Sequence, residues 1–212
     1  DITLPESVAY IDDITQGSGG LPLSILRNLP DALTYIGDYA FETDDQIDIS
    51  YLEIPNGVKY IGQKAFAHIN TGSSQKMDVR LPDSLEYMDW AAFTNNNIGQ
   101  ITNWSAAITT WEDFLYDCQM DALTLPDTIL NVHRLTSSAI PIINLNRVKV
   151  VEGFYGYGGV DILSYGAIQP GSGTILMPNV ERVFPNTHIG GAGAGVVAIP
   201  NMDVYVPFNG VD

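Results

Sequence analysis

Three histidines, one cysteine and two acidic clusters are the side chains of this 212-residue chain with types suited to chemistry. His68, His133 and His188 lie far apart, without the short paired spacing of a zinc site. Cys118 as a nucleophile needs a base beside it, and no histidine lies within its own stretch of sequence, so a buried, inert thiol is expected. Being the sole cysteine, it also excludes an internal disulfide framework and a cysteine-based zinc site. Asp44-Asp45 with Asp48, and Glu112-Asp113 with Asp117 and Asp121, have the residue types for glycoside hydrolysis or calcium binding. Neither cluster matches the calcium loop, with its Gly at position six and Glu at twelve. Both fall in turns leading into a strand, where aspartate is ordinary turn chemistry.

Other motifs fare no better. There is no Gly-x-Ser-x-Gly elbow. Gly190-Gly191-Ala192-Gly193-Ala194-Gly195 has the wrong spacing for a dinucleotide or phosphate loop, no Lys follows it, and Val196-Val197-Ala198-Ile199 reads as a strand. It reads as a tight corner. Asn103-Trp104-Ser105 is formally a glycosylation sequon, but Trp104 falls in a core slot. The expectation is therefore a chain without catalytic residues, metal or cofactor.

Composition narrows the partners. Apolar residues make up 45% and charged ones 16%, against a usual ~25% charged, which excludes a disordered acidic tail. Nine basic against 25 acidic residues leave a net charge of −16, spread over both halves of the chain. Such a surface repels phosphate backbones and anionic lipid, so neither nucleic acid nor a membrane surface is an expected partner. No apolar run approaches the ~20 residues that span a bilayer. The chain begins at Asp1 without an initiator Met. Processing or trimming explains this most simply, so the lack of a signal peptide says little about export.

The side chains must be positioned by a repeat. Leu29–Phe41, Ile54–Phe66 and Leu81–Phe93 superpose without gaps. Each has an aliphatic residue before Pro (Pro30, Pro55, Pro82), apolar residues three and six positions later, and Ala-Phe at the end. The frame extends with decay to starts at 4, 29, 54, 81, 104, 125, 145, 177 and 199, nine units of 20–32 residues. Within a unit, stretches such as Tyr51-Leu52-Glu53-Ile54 alternate at period two and predict a short strand buried on one face. The Pro ends that strand because it has no N–H to donate. A turn follows, then a second extended piece burying pairs such as Val58 and Ile61. Gly37 and Gly62 are expected to supply a flexible corner before a helical turn that plants Ala-Phe in the core. About five buried side chains per unit, at ~1.5–3 kcal/mol each, cannot offset the ordering entropy of one unit. The units must stack into a solenoid, with Phe41, Phe66 and Phe93 in register.

The phrase aliphatic-Pro-x-x-Val/Leu-x-x-Ile-Gly-x-x-Ala-Phe resembles the BspA-like, or Treponema pallidum type, leucine-rich repeats of bacterial surface proteins. The resemblance is specific over 29–93, recognisable over 4–132 and weak over 133–212. It implies a single right-handed β/α solenoid over 1–212, with short parallel strands, about nine coils, and mostly β and irregular structure with few short helical turns. It also implies an extracellular or surface-anchored, non-catalytic module that binds a host or matrix protein or glycan. Cys118, two residues beyond Tyr116, lies close to where that family often buries a cysteine.

Strand alternation places the residue before each aliphatic-Pro pair on the outer face: Glu53, Arg80, Asn103, Thr124, Asn144, Leu176 and Ala198. Tyr51 and Asp78 form the next outward rung. Tyr and Arg favour recognition, so the expected ligand patch is Tyr51, Glu53, Asp78, Arg80 and Asn103. The Tyr/Gly-rich insertion at 153–173, with Phe154, Tyr155 and Tyr157, is the other place to look, since solenoid insertions often lie on the binding face. The alternative reading is a structural spacer displaying another domain, and a glycan hydrolase using an acidic pair is a third.

Overall fold

The computed structural model describes residues 3–15, 19–43, 49–134 and 142–151, and the short segments 160–161, 174–176, 179, 182–183, 187–188 and 196–198. The described residues form a parallel β-solenoid of about five turns with almost no helix. The same hydrogen-bonded turn recurs along the described chain. The amides of Val8, Leu33, Val58, Leu85, Ile108, Ile129 and Val148 donate to the carbonyls of Pro5, Pro30, Pro55, Pro82, Ser105, Pro126 and Leu145, at 2.9 to 3.2 Å. Proline opens five of these seven turns, where it also ends the preceding extended segment because it has no N–H to donate.

The chain divides into two compact units, Asp1–Ile108 with Glu112–Asp121, and Thr109–Trp111 with Ala122–Asp212. In the first, β1 (Tyr10–Ile11), β2 (Tyr35–Ile36), β4 (Tyr60–Ile61) and β6 (Tyr87–Met88) pair in that order, all parallel. A second sheet joins β3 (Tyr51–Glu53), β5 (Met77–Arg80) and β7 (Ile98–Thr102). Leu52 pairs with Val79 and Ile61 with Met88, so the inward residues of successive coils lie over one another. A further sheet joins β8 (Thr110–Glu112), of which Thr110 and Trp111 belong to the second unit, with β10 (Asn131–Arg134), β12 (Val150–Val151) and β15 (Arg182–Val183). In the second unit, β9 (Leu123–Thr124), β11 (Ile142–Asn144), β14 (Thr174–Leu176) and β17 (Val196–Ala198) form another. A pair, β13 (Val160–Asp161) with β16 (Thr187–His188), completes the described strands.

The third side of the first unit carries the phenylalanines, and here the expectation of a helical turn is corrected. Tyr39, Lys64, Ala91 and Asp113 have φ of 57°, 52°, 57° and 59°, in the left-handed region, so the chain cannot continue as a helix. The amides alternate instead. Ala65 and Ala67 donate within the coil, to Gly62 and Lys64, whereas Lys64, Phe66 and His68 cross to the carbonyls of Trp90, Ala92 and Thr94. An α-helix would need every one of those amides for itself. The one described helix is the 3-10 segment Leu23–Arg27.

Asparagines finish the job where this turn leaves carbonyls inside. Asn96 is buried, and its Nδ2 donates to Phe66 O at 2.8 Å and Phe93 O at 2.7 Å. Its Oδ1 accepts the Asn70 amide at 2.8 Å, and Asn70 Nδ2 donates to Asn97 O at 2.9 Å. A buried carbonyl without such a donor would cost about as much as a lost hydrogen bond.

The glycines also differ from expectation. Gly37 and Gly62 are required by close approach, since a Cβ at Gly37 would lie 2.5 Å from Asp13 N and one at Gly62 2.6 Å from Asp38 N. The carboxylates of this corner hold the next coil: Asp13 Oδ1 accepts the Asp38 amide at 3.0 Å, and Asp38 Oδ1 accepts the Gln63 amide at 2.8 Å. In the following coil Asp89 takes the glycine slot and caps the Trp90 amide itself, at 2.6 Å.

Phe41, Phe66 and Phe93 are fully buried and stack in register as the repeat requires, at 5.5 Å and 12° for the first pair and 5.0 Å and 7° for the second. Phe66→Ala should cost ~3–5 kcal/mol, because coils fixed by hydrogen bonds on three sides cannot collapse onto the hole. Urea denaturation measures this; a melting midpoint within about a degree of the parent would contradict the register, since ~1 kcal/mol shifts a domain this size by several degrees.

Candidate functional site

The outer face of the β3-β5-β7 sheet brings most of the expected ligand patch together. Tyr51 stands opposite Asp78 and Glu53 opposite Arg80 in the strand register. Tyr51 is 52% exposed and Arg80 reaches Glu53 at 3.4 Å. Gln100, which the sequence reading passed over, donates to Asp78 Oδ2 at 2.8 Å. The fifth residue does not join them. The register slips by one residue between Met77 and Val79, and Thr102 is the partner of Arg80. Asn103 follows in a left-handed conformation, φ 63°, and its Nδ2 donates to Leu81 O at 2.7 Å. The side chain is thus spent on capping a neighbouring coil. Trp104, expected in a core slot, is half-buried, with Nε1 donating to Ile101 O at 3.2 Å. In the second unit Thr124, Asn144, Leu176 and Ala198 share one register.

The first unit carries a second outward row. Tyr10, Tyr35, Tyr60 and Tyr87 occupy one register position on β1, β2, β4 and β6. Tyr35 and Tyr60 stack at 4.6 Å and 5°, Tyr60 and Tyr87 at 5.3 Å and 12°, while Tyr10 tilts 38° from Tyr35. Carboxylates flank them: Tyr35 OH donates to Asp13 Oδ1 at 3.1 Å. Partial burial, then the charges of Asp89 and Asp38, hold the Tyr60 phenol well above the usual tyrosine range. Burial likewise raises Tyr35, helped by its bond to Asp13, and Tyr87, helped by Asp89. The signal was present in the sequence, as a tyrosine at the same slot of four successive units.

Chemistry-bearing groups elsewhere stay dispersed. Cys118 is fully buried with Sγ 2.9 Å from Phe93 O, and burial pushes its thiol up to about 12. His68 lies half-buried in the phenylalanine turn. Asp113 is buried at a left-handed position, and Asp121 pairs with Lys76 at 2.5 Å. Asp44, Asp45 and Asp48 lie outside the described residues, as do 190–195 and, apart from Val160–Asp161, the insertion at 153–173. His133 and His188 sit on strands whose side chains are likewise not described. Among the described residues no three or more His, Cys, Asp or Glu side chains converge to hold a metal ion.

The family model of the BspA type leucine-rich repeat region matches residues 25–140, in six copies, which is more than half of the chain. The chain belongs to this family. No curated protein and no solved structure matches it. The six matched copies of the BspA-type repeat span both the Tyr51/Arg80 patch and three of the four ladder tyrosines. The matched segment runs past the point, near residue 132, where the sequence phrase fades. Among the described residues of this BspA-type chain no helix is long and apolar enough to cross a membrane.

Alkaline titration tests the tyrosine row. The folded protein keeps the phenols of Tyr35, Tyr60 and Tyr87 protonated above the ordinary value of 10.0, at which the unfolded chain releases its protons. Stability is then fully present below about pH 10 and falls as pH rises beyond it, because the unfolded state binds fewer protons there. Phenolate absorbance should rise at higher pH in native than in denatured protein, and Tyr60→Phe should remove part of the delayed fraction. Coincident native and denatured curves would contradict the partly buried, carboxylate-flanked row.

Proposed function

We propose that the chain is a non-catalytic extracellular binding module of a bacterial surface protein, recognising a host or matrix protein or glycan through an exposed face of its solenoid. Membership of the BspA-type family supports this reading, and a leucine-rich solenoid is typically a binding scaffold. The observation that carries it is the outer face of the β3-β5-β7 sheet, where Tyr51, Glu53, Asp78 and Arg80 stand side by side on paired strands. A broad, rigid surface with an exposed tyrosine and an arginine suits recognition of a large partner better than enclosure of a small substrate. A spacer displaying another domain needs no such side chains, and Tyr51 at 52% exposure argues against it.

The ligand patch on this reading is Tyr51, Glu53, Asp78 and Arg80, with Asn103 at its rim as a buttress. We also propose that the nine starts of the repeat form one right-handed solenoid over 1–212. The common register of β9, β11, β14 and β17 supports this, since it continues the repeat into the stretch where the sequence phrase fades.

An array of glycans and matrix proteins, probed with and without calcium, should return a ligand for the 212-residue chain. Tyr51→Ala with Arg80→Ala should then weaken it at least tenfold, or ~1.4 kcal/mol, without changing the melting temperature. Unchanged affinity in the double variant would remove this face from consideration.

A further inference from the structure

The tyrosine row of the first unit is a surface in its own right. Tyr10 and Tyr87, at its two ends, are 66% and 46% exposed, and Tyr35 and Tyr60 between them are half-buried. The middle rings cover one another's faces at 4.6 and 5.3 Å, so the row offers edges and hydroxyl groups at its centre. Open ring faces, on which a neutral sugar would pack, remain only at the two ends. Around the hydroxyls stand acceptors. Asp13 lies against the Tyr35 hydroxyl, and Asp12, Asp38 and Asp89 are near enough for their charges to act on the row. Lys59, in the same coil as Tyr60, is already neutralised by Glu86 at 2.9 Å. A neighbouring part of this unit already seats a cation: Lys64 Nζ lies 5.9 Å from the ring centroids of both Tyr39 and Trp90.

We infer that the row Tyr10, Tyr35, Tyr60 and Tyr87, with Asp12, Asp13, Asp38 and Asp89 beside it, is a docking strip for an extended, arginine-rich segment of a partner protein. The strip rests on the reading of the chain as a binding module and names the partner's chemistry. A guanidinium is planar, weakly hydrated and forked, so it stacks on an exposed phenol ring such as Tyr10 while donating two hydrogen bonds to a carboxylate. The rungs recur once per coil, at roughly 4.8 Å, so an extended chain crossing the strands meets several of them. The net charge of −16 steers a basic segment toward the protein and away from anionic competitors.

The probe is a fluorescent octa-arginine peptide, followed by anisotropy at about 150 mM salt, where charges beyond ~8 Å are screened. The parent protein should bind it and leave octa-glutamate unbound. Tyr10→Ser with Tyr87→Ser, which changes no charge, should weaken binding about fivefold or more. Asp31→Asn with Asp83→Asn removes two exposed acids from the proline turns and should shift affinity less than about twofold. Should the double tyrosine variant melt early, Tyr10→Ser alone, at the most exposed rung, should still weaken binding about twofold or more. Absence of octa-arginine binding, parent-like affinity in the tyrosine variants, or an equal loss in the turn variant would each overturn the strip. An array ligand lost with Tyr51→Ala and Arg80→Ala but indifferent to the row would do so too, while leaving the binding module standing.

Discussion

In the turn that carries Phe66, the amides of Lys64, Phe66 and His68 cross to Trp90, Ala92 and Thr94, while those of Ala65 and Ala67 bond within the coil. Placing residues such as Lys64 and Ala91 in the left-handed region costs roughly 1 kcal/mol apiece, and the crossing hydrogen bonds are what make it tolerable. The same exchange recurs one coil earlier, where Tyr39 and Phe41 donate to Gln63 and Ala65. Neither of these coils therefore satisfies its own backbone, and stacking is obligatory for them rather than merely favourable. The phenylalanine spine sits directly behind these bonds, so burial and hydrogen bonding fail or hold together.

Obligatory stacking has a consequence for the surface. If inward residues must lie over one another, outward residues must do so as well, and each exposed slot becomes a row. The β3-β5-β7 sheet turns that rule into the mixed patch of Tyr51, Glu53, Asp78 and Arg80. The β1-β2-β4-β6 sheet turns it into a tyrosine row edged with carboxylates. Rows of this kind offer a partner several equivalent contacts on a rigid support, where little ordering entropy remains to be lost on binding. Cys118, by contrast, is buried with its thiol pushed up to about 12, and acts as a small apolar filler behind Phe93.

Much of this was legible in the sequence, and the failures share a cause. Period and Pro placement locate the turns at Pro30, Pro55 and Pro82 and the spine at Phe41, Phe66 and Phe93, because burial repeats at fixed intervals. What they do not encode is the backbone hydrogen-bond pattern between coils. That is why the spine turn reads as helical, why Gly37 and Gly62 read as flexible instead of sterically required, and why buried Asn70 and Asn96 go unnoticed. Asn103 was misplaced for a related reason. A one-residue slip inside a strand pair moves every later residue to a new slot, and gap-free alignment cannot see it. The row from Tyr10 to Tyr87 was visible as a repeated letter, but hydrophobic periodicity looks inward and passes over what recurs on the outside.

The nearest-neighbour character of the stack is the central claim, and a pair of double-mutant cycles addresses it. Phe→Leu changes at Phe41, Phe66 and Phe93, alone and in pairs, keep most of the buried volume and can be followed by denaturant unfolding. Phe41 with Phe66, whose centroids lie 5.5 Å apart, should show a coupling of about 0.5–1.5 kcal/mol. Phe41 with Phe93, separated by Phe66, should be additive within about 0.5 kcal/mol. Equal coupling for the two pairs, or none for the first, would contradict a stack in which each coil is held by the one beside it.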